Sequence, residues 1–499
     1  MENLMYLKSG TDIRGTAFSK DGKEIDLNDK RLQSITASFV RFIKNKLGKE
    51  NLKITVGYDS RVSSVHIAKI VSDTMLSLGV KVFDCGLSST PSMFMSVINF
   101  GVDAAVEITA SHLPMEMNGL KFFTRDGGFS GDDIKDILSF AQQNEYLCAK
   151  TEEKAEKLDN MKVYCENLCK MIREGVNADN YEKPLDGLKI VVDAGNGVGA
   201  FYAYDVLKVL GADIDGSRYL EPDGNFPNHI PNPENKDAMN SICEAVKESK
   251  ADFGVIFDTD CDRAACVDGN GDEINRNKLV ALASYIALKN CKGGTVVTDS
   301  VTSDGLCEFI EKDLGGVHHR FKRGYKNVID EAIRLSSLGQ KSPLAIETSG
   351  HAAFDENYYL DDGAYLITKI IIETALLRKE GKDIDSIIKS LKVPVEEREV
   401  RFKILLEDFR DYGTGVIDDL KNLCEKTGFI KVSPVNYEGV RVNFDKEHGD
   451  GWLLLRMSVH EPLLVLNTES ATAGGTLKML GFFKEFISVY DKLDLSKLN

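Results

Sequence analysis

The sequence predicts an α/β protein: three related mixed α/β domains around a central cleft, plus a smaller α+β domain at the C-terminus. Three observations carry this. Apolar, β-branched runs ending in Gly or Asp alternate with longer amphipathic stretches, the pattern of strands feeding helices in largely parallel sheets. The alternation recurs as a loose internal repeat. The chain has 499 residues, 42% of them hydrophobic, enough for several cores and too many for one ordinary domain.

The repeat is read element by element. A first buried strand ending in a polar loop occurs in LKITVGYDSR (52–61), LKIVVDAGNG (188–197) and GTVVTDSVTS (294–303). After a helical stretch, a second strand is predicted in VKVFDCG, ADIDGSRY and GVHHRFKRGY, and a third in DAAVEITASH, ADFGVIFDTDCD and SPLAIETSGH. Ligands bind outside the carboxyl ends of strands in open α/β sheets, so three such loops are expected to converge. The tail breaks the pattern: VPVEEREVRFKILL, VNYEGVRVNF and GWLLLRMSV read as strands around a helix. Domains are placed at 1–152, 153–273, 274–392 and 393–499, with the acidic stretch AKTEEKAEKLDN and the charged segment near 393–400 as boundary markers.

Charge narrows the partners. Charged residues are 28% of the chain and the formal net charge is −16, which repels nucleic-acid backbones and anionic membranes. A small anionic substrate needs local Arg, Lys or metal to overcome that field. Ten cysteines are scattered with no CxxC pair, and Cys165 and Cys169, four apart on a helix face, read as small buried hydrophobes. The opening MENLMYLKSGTDIRG has no signal-peptide pattern, and no run reaches the roughly 18 apolar residues of a membrane span. A reducing, cytoplasmic setting is expected.

The strongest chemical signal is GVIFDTDCDRAACVDGNG, where Asp258, Asp260 and Asp262 alternate directly after an apolar strand. Crowded carboxylates repel one another, and a hard divalent cation with oxygen ligands relieves this; Mg²⁺ is the usual ion where phosphate is handled. Arg263, next to the triad, suits a bidentate phosphate contact. An EF-hand fails, because Arg263 and Gly269 stand where Gly and Glu are needed. An aspartyl-nucleophile phosphatase stays open, with VIFDTD as its opening and LDDGA (360–364) as its later acidic pair.

VVDAGNGVGA matches a dinucleotide fingerprint through Gly195, Gly197 and Ala200, with Asp213 and Asp215 near the ribose-acid position. Nothing downstream suits hydride chemistry, so it is read as a tight turn opening a helix. In LAIETSGHAAF, Glu347, Ser349 and His351 alternate as an acid, a hydroxyl and an imidazole suited to a polyol. Arg14 in SGTDIRG, the basic residues of KRGYKNV (322–328), and Arg456, Ser458 and His460 in RMSVHEP are either phosphate clamps or surface groups. Finally, EITASHLPMEMNGLKFF carries Ser111 beside His112 at a strand exit, then an expected Asn-Gly turn before Lys121. There is no G-x-S-x-G elbow, so a serine that carries a phosphoryl group on a metal fits better than a hydrolase triad.

TASHLP, DTDCDR, ETSGH and SGTDIRG, in that order and spacing, resemble the α-D-phosphohexomutase family of phosphoglucomutases and phosphomannomutases over almost the whole chain. The resemblance implies four domains and an intramolecular phosphotransferase acting on small sugar phosphates, with glucose and mannose phosphates expected and an amino-sugar mutase or a non-catalytic phosphosugar-binding relative as alternatives. It implies phosphoserine at Ser111, one Mg²⁺ per chain on Ser111, Asp258, Asp260 and Asp262, and a hexose 1,6-bisphosphate as activator and intermediate. Arg14, His112, Lys121 and Arg263 match positions that support transfer. Glu347 and Ser349, with His351, match the sugar loop, and Gly324 and Tyr325 match a loop that contacts substrate. Arg456 and Ser458 match the phosphate loop, in which His460 is expected to donate to phosphate. A monomer or homodimer is expected. The sequence departs from the family pattern at Leu113, where Asn is usual, at Thr348, where Met is often found, and at Val459 and His460, which replace Gly and Thr of the phosphate loop.

Overall fold

The apolar runs form strands and the amphipathic stretches form helices, as the alternation requires. The computed structural model describes residues 3–19, 22, 24–149, 151–458 and 461–498. The chain divides into two units, Met1–Leu279 with Ser349–Ser386, and Val280–Thr348 with Ile387–Asn499.

The first unit holds two complete sheets and the antiparallel pair Ala352–Phe354 with Leu360–Asp361. Across the larger, the strands run Lys8–Ser9, Asp12–Thr16, Met117–Thr124, Ala104–Ile108, Lys53–Tyr58, Lys81–Leu87 and Glu156–Lys157. Lys53–Tyr58 pairs parallel with both Lys81–Leu87 and Ala104–Ile108. Ala104–Ile108 then turns back antiparallel to Met117–Thr124, placing Glu107 opposite Lys121. Helix boundaries follow local chemistry. Asn28 caps Asp29–Leu47 by accepting from the Arg31 N–H, and Gly48 ends that helix at φ 60°. Ser89 caps Thr90–Phe100 with Pro91 in its first turn. The helix Asp29–Leu47 buries Leu32, Ile35, Phe39 and Ile43, and the Phe39 ring stacks on Phe122 at 4.5 Å between centroids.

The second sheet orders Glu273–Ile274, Ala264–Asp268, Phe253–Phe257 and Ile190–Asp193. Phe253–Phe257 is parallel to Ile190–Asp193 and antiparallel to Ala264–Asp268. The loops carrying Ser111 and the Asp triad are thus reversals between antiparallel strands, fixed at both ends. The sequence had suggested mainly parallel connections.

Two other expectations are corrected. Asn118-Gly119 is not a turn but lies inside Met117–Thr124. The Asn118 side chain donates to Ser63 and Ser64, and a Cβ at Gly119 would strike the Ile13 carbonyl and come within 2.8 Å of that of Thr109. Glycine is there because backbones crowd on both sides. ADIDGSRY forms no strand and makes only single bridges, Lys189 with Asp213 and Asp193 with Arg218. The Asp213 carboxylate turns back onto the Asp215 N–H, and Gly216 and Tyr219 take positive φ, which interrupts a ladder.

In the second unit, Thr295–Thr298 lies between Val317–Arg320 and Leu344–Ile346, all parallel. The C-terminal part is a six-stranded antiparallel sheet ordered Ile430–Val432, Val440–Phe444, Gly451–Met457, Leu463–Ser470, Glu396–Ile404 and Leu493–Asp494. Helices Phe409–Glu425 and Gly475–Ile487 supply Val416, Leu420, Met479 and Phe483 to a core with Phe402, Leu453 and Leu466. This is the α+β arrangement predicted, with Leu463–Ser470 as an added strand. No helix among the described residues is long and apolar enough to cross a membrane.

Candidate active site

In the first unit, the serine loop meets the Asp loop. Ser111 is buried at 3% exposure and adopts φ 51°, unusual for a residue with a Cβ. This backbone turns Oγ inward, where it donates to Asp258 Oδ2 at 2.9 Å and accepts from Arg263 at 3.1 Å. The Ser111 N–H is tied to Thr109 Oγ1 at 2.8 Å.

The three predicted carboxylates converge, with ligand oxygens within 4.8 Å of one another. All are buried. Arg263 holds Asp258 through its Nε at 3.1 Å and its own N–H at 3.1 Å. Lys121 Nζ reaches Asp260 at 3.1 Å and Asp262 at 2.5 Å. Thr90 Oγ1 donates to Asp260 Oδ2 at 2.6 Å. Even so, Asp260 Oδ1 and Asp262 Oδ1 are buried with no hydrogen-bond partner.

The charges divide accordingly. Burial pushes the Asp258 carboxyl well above the usual range, and repulsion from Asp262 and Asp260 adds to it. Burial acts the same way on Asp262, but Lys121, His351 and Arg263 outweigh it and hold that group well below the usual range. Cramped carboxylates with two unpaired oxygens fit a hard divalent cation, which takes oxygen donors of this kind. This donor set can bind a metal.

His112 Nδ1 accepts from Arg263. Burial and then the charge of Arg263 lower its pKa to about 2, so the ring is neutral with Nδ1 unprotonated. His351 is the opposite case: burial lowers its pKa, but Asp361 at 2.5 Å and Asp262 at 4.0 Å raise it to about 9. Arg14, on Asp12–Thr16, pairs with Asp12 at 2.7 Å. Ser349 Oγ is buried and unpaired. LDDGA is not the acidic pair of a phosphatase, since Asp361 holds His351 and Asp362 caps the helix Gly363–Lys379 and accepts from Tyr164.

The glycine turn of VVDAGNGVGA supports the Asp loop. A Cβ at Gly197 would come within 2.6 Å of the Thr259 carbonyl, and the Val198 N–H donates to that carbonyl at 2.8 Å.

In the second unit, Glu347 accepts from the Gly324 N–H at 2.6 Å. Gly324 has φ 115° and precedes the helix Tyr325–Ser337, whose first residue is Tyr325. Thr348 donates to Asp299 at 2.8 Å. Arg456 is 4% exposed, with Nε 4.0 Å from Glu438, and the Ser458 N–H donates to the Leu463 carbonyl at 2.8 Å. His460 and Val459 lie outside the described residues.

Sequence reasoning missed three contributors. Arg61 is fully buried against the serine loop; Thr90 holds Asp260; and Glu438 lies beside Arg456 and accepts from the Arg323 N–H at 3.0 Å. The only early sign of Arg61 was its place at the end of a strand-exit motif.

The sheets and helices define an α/β class with a buried acidic cluster able to hold a metal, and comparison with known proteins assigns the family. Models described as phosphoglucomutase/phosphomannomutase, alpha/beta/alpha domains I, II and III match residues 7–147, 162–271 and 275–394. A phosphoglucomutase/phosphomannomutase of Thermococcus kodakarensis is 30% identical over 85% of this chain and 87% of its own. A phosphoglucomutase of Neisseria gonorrhoeae is 26% identical over 92% and 94%. The crystal structure of a phosphoglucomutase/phosphomannomutase family protein from Burkholderia thailandensis superposes with a TM-score of 0.80 at 25% identity, covering 98% of each chain. The chain belongs to the phosphoglucomutase/phosphomannomutase family.

Proposed function

We propose that this chain is a Mg²⁺-dependent phosphohexomutase that interconverts hexose 1-phosphates and hexose 6-phosphates of glucose and mannose, with Ser111 as the phosphoryl carrier and a hexose 1,6-bisphosphate as the intermediate. The observation that carries this is Ser111 Oγ bonded to Asp258 within a buried acidic cluster that retains unpaired oxygens. Asp258, Asp260 and Asp262, with the serine phosphate, would hold Mg²⁺, which when bound supplies charge neutralisation for the phosphoryl group.

In this reading a sugar hydroxyl attacks the phosphorus on Ser111. The P–Oγ bond breaks, Oγ keeps the electron pair, and the proton given up by the sugar hydroxyl ends on Oγ, leaving Ser111 as a hydroxyl. In the return step Oγ attacks the other phosphorus of the bisphosphate, that P–O bond to the sugar breaks, and the proton passes back from Oγ to the sugar oxygen. Arg263 and Lys121 hold the charge that spreads over the phosphoryl oxygens, where positioned cations act most. Neutral His112 keeps Arg263 aimed at Oγ, and Arg14 adds positive charge. Glu347, Ser349 and His351 grip sugar hydroxyls, with Gly324 and Tyr325 beside Glu347. Arg456, Ser458 and His460 bind the phosphate that is not being transferred. The domain limits 1–152, 153–273, 274–392 and 393–499 belong to the same proposal.

The test is a coupled assay with Mg²⁺, a trace of glucose 1,6-bisphosphate, and α-glucose 1-phosphate or mannose 1-phosphate, with glucosamine phosphate alongside. The expected result is turnover at about 1–10³ per second with glucose or mannose phosphate. Exclusive turnover of the amino sugar would reassign the substrate, and sugar-phosphate binding without any turnover would make the chain a binding relative.

A further inference from the structure

Ser111 does not hold its backbone conformation unaided. A positive φ on a residue with a Cβ is strained and persists only where the surroundings enforce it. The enforcing group is Arg61, which follows Lys53–Tyr58 and whose side chain is fully buried. Its two terminal nitrogens carry four N–H bonds, and all four meet carbonyls of the serine loop. One nitrogen donates to Pro114 at 2.7 Å and Met117 at 3.0 Å. The other donates to Leu113 at 2.6 Å and to Ser111 itself.

Arg61 is held in turn. Its Nε lies 3.2 Å from Asp59, whose other oxygen accepts from Ser64 at 2.7 Å and from the Arg61 N–H at 3.0 Å. The Phe226 ring lies 5.3 Å from the guanidinium. The contacts run along the whole reversal, from Ser111 to the first residue of Met117–Thr124. They act on the carbonyl side of the loop and leave Oγ free to face Asp258 and Arg263.

We infer that Arg61 is a positioning residue for phosphoryl transfer: it clamps the carbonyls of residues 111–117 so that the Ser111 hydroxyl is presented to the acidic loop. This rests on Ser111 being the phosphoryl carrier. Four divergent acceptors need a planar fork of donors. A lysine ammonium has three donors on one atom and cannot reach all four carbonyls.

Arg61→Lys and Arg61→Ala would be compared with wild type for thermal midpoint, kcat, KM, and the rate at which Ser111 gains phosphate from glucose 1,6-bisphosphate with Mg²⁺, read by peptide mass. Misplacing a reacting group by about 1 Å costs on the order of 100-fold in rate, so a fall of about that size is expected in both kcat and Ser111 phosphorylation for Arg61→Lys, with KM within about threefold. Guanidinium ion added to Arg61→Ala should recover part of the rate, and methylammonium should not. A merely structural role would shift the midpoint without this kcat-against-KM split or the selective rescue. The inference is overturned if folded Arg61→Lys phosphorylates Ser111 within about threefold of wild type. If Arg61→Ala does not fold, Arg61→Lys decides alone. Wild type that gains no phosphate on Ser111 would instead overturn the carrier assignment, so the two failures are distinguishable.

Discussion

Two strands of one sheet, Ile190–Asp193 and Phe253–Phe257, run parallel, and an acidic residue lies at or just beyond the end of each, yet their carboxylates meet opposite fates. At the first exit Asp193 is alone and fully partnered. It accepts from His229 at 3.0 Å, from Ser241 at 2.6 Å and from the Gly195 N–H at 2.9 Å. At the second exit three carboxylates crowd together, and two of their oxygens are buried without a hydrogen-bond partner. A buried polar atom without a partner costs free energy. Two such atoms beside a serine give this exit a donor set that can bind a metal. Asp193 is structural for the converse reason, since its bonds are complete.

The comparison is sharpened most by Asp258→Asn. Burial and the neighbouring Asp262 and Asp260 disfavour the charged form of Asp258, so removing that charge should cost little, with folding stability within about 1 kcal/mol. Turnover should fall by on the order of 10³-fold, as expected when one electrostatic element of a reacting centre is removed. Asp193→Ala should do the reverse, with kcat within about threefold. It strips His229 and Ser241 of a charged partner, so urea denaturation should show a loss of about 1.5–3 kcal/mol. A large turnover defect in Asp193→Ala would break the distinction between the two exits.

Metal addition follows in size. Mg²⁺ at 100 times its dissociation constant should stabilise wild type by about 2.7 kcal/mol, read as a raised thermal midpoint, and should have much less effect on Asp258→Asn. An equal shift in both proteins would place the ion elsewhere.

Two pH effects are smaller. Burial lowers the His229 pKa, but its bonds to Asp193 outweigh this and leave it raised. Its stabilising contribution is therefore full below about pH 6.5 and is lost as pH rises through the folded-state value. Denaturation midpoints across that range should show this slope in wild type and not in Asp193→Ala. Glu107 is fully buried, and neither carboxyl oxygen has a hydrogen-bond partner. Burial, with the charges of Asp59 and Asp260, raises its pKa well above normal, so the folded protein retains a proton that the unfolded chain releases above about pH 4.3. Stability is lost as pH rises from there. Glu107→Gln should be near neutral at pH 5 and stabilising at pH 8, and a destabilised variant at pH 8 would show that the carboxylate is needed in its charged form.

Much of this was legible in the sequence because it lies in contiguous motifs. Ser111, the alternating acids, Gly324 and Glu347 stand at strand exits, and strand exits can be read from apolar runs. The structure brings Ser111, Lys121 and Arg263 to the acids, with His112 against Ser111 and Arg263. What was not legible depends on through-space crowding. Asn118-Gly119 has a turn's composition, but Gly119 answers to the neighbouring backbones at Ile13 and Thr109. ADIDGSRY has a strand's place in the repeat, but local carboxylate turns and positive φ keep it out of a ladder. Arg61 drew no role from the sequence, because four carbonyl partners 50 to 56 positions away leave no local signature.

The central claim is that Ser111 carries the phosphoryl group between the two positions of a hexose. The most direct measurement follows a label from hexose 1,6-bisphosphate into the protein and out to hexose 1-phosphate, with peptide mass fixing the labelled residue, in wild type and Ser111→Ala. The account predicts label on Ser111 alone, discharged at the rate of turnover, and neither label nor turnover in Ser111→Ala. Turnover that survives in Ser111→Ala, or label found on Asp258 instead, would contradict it.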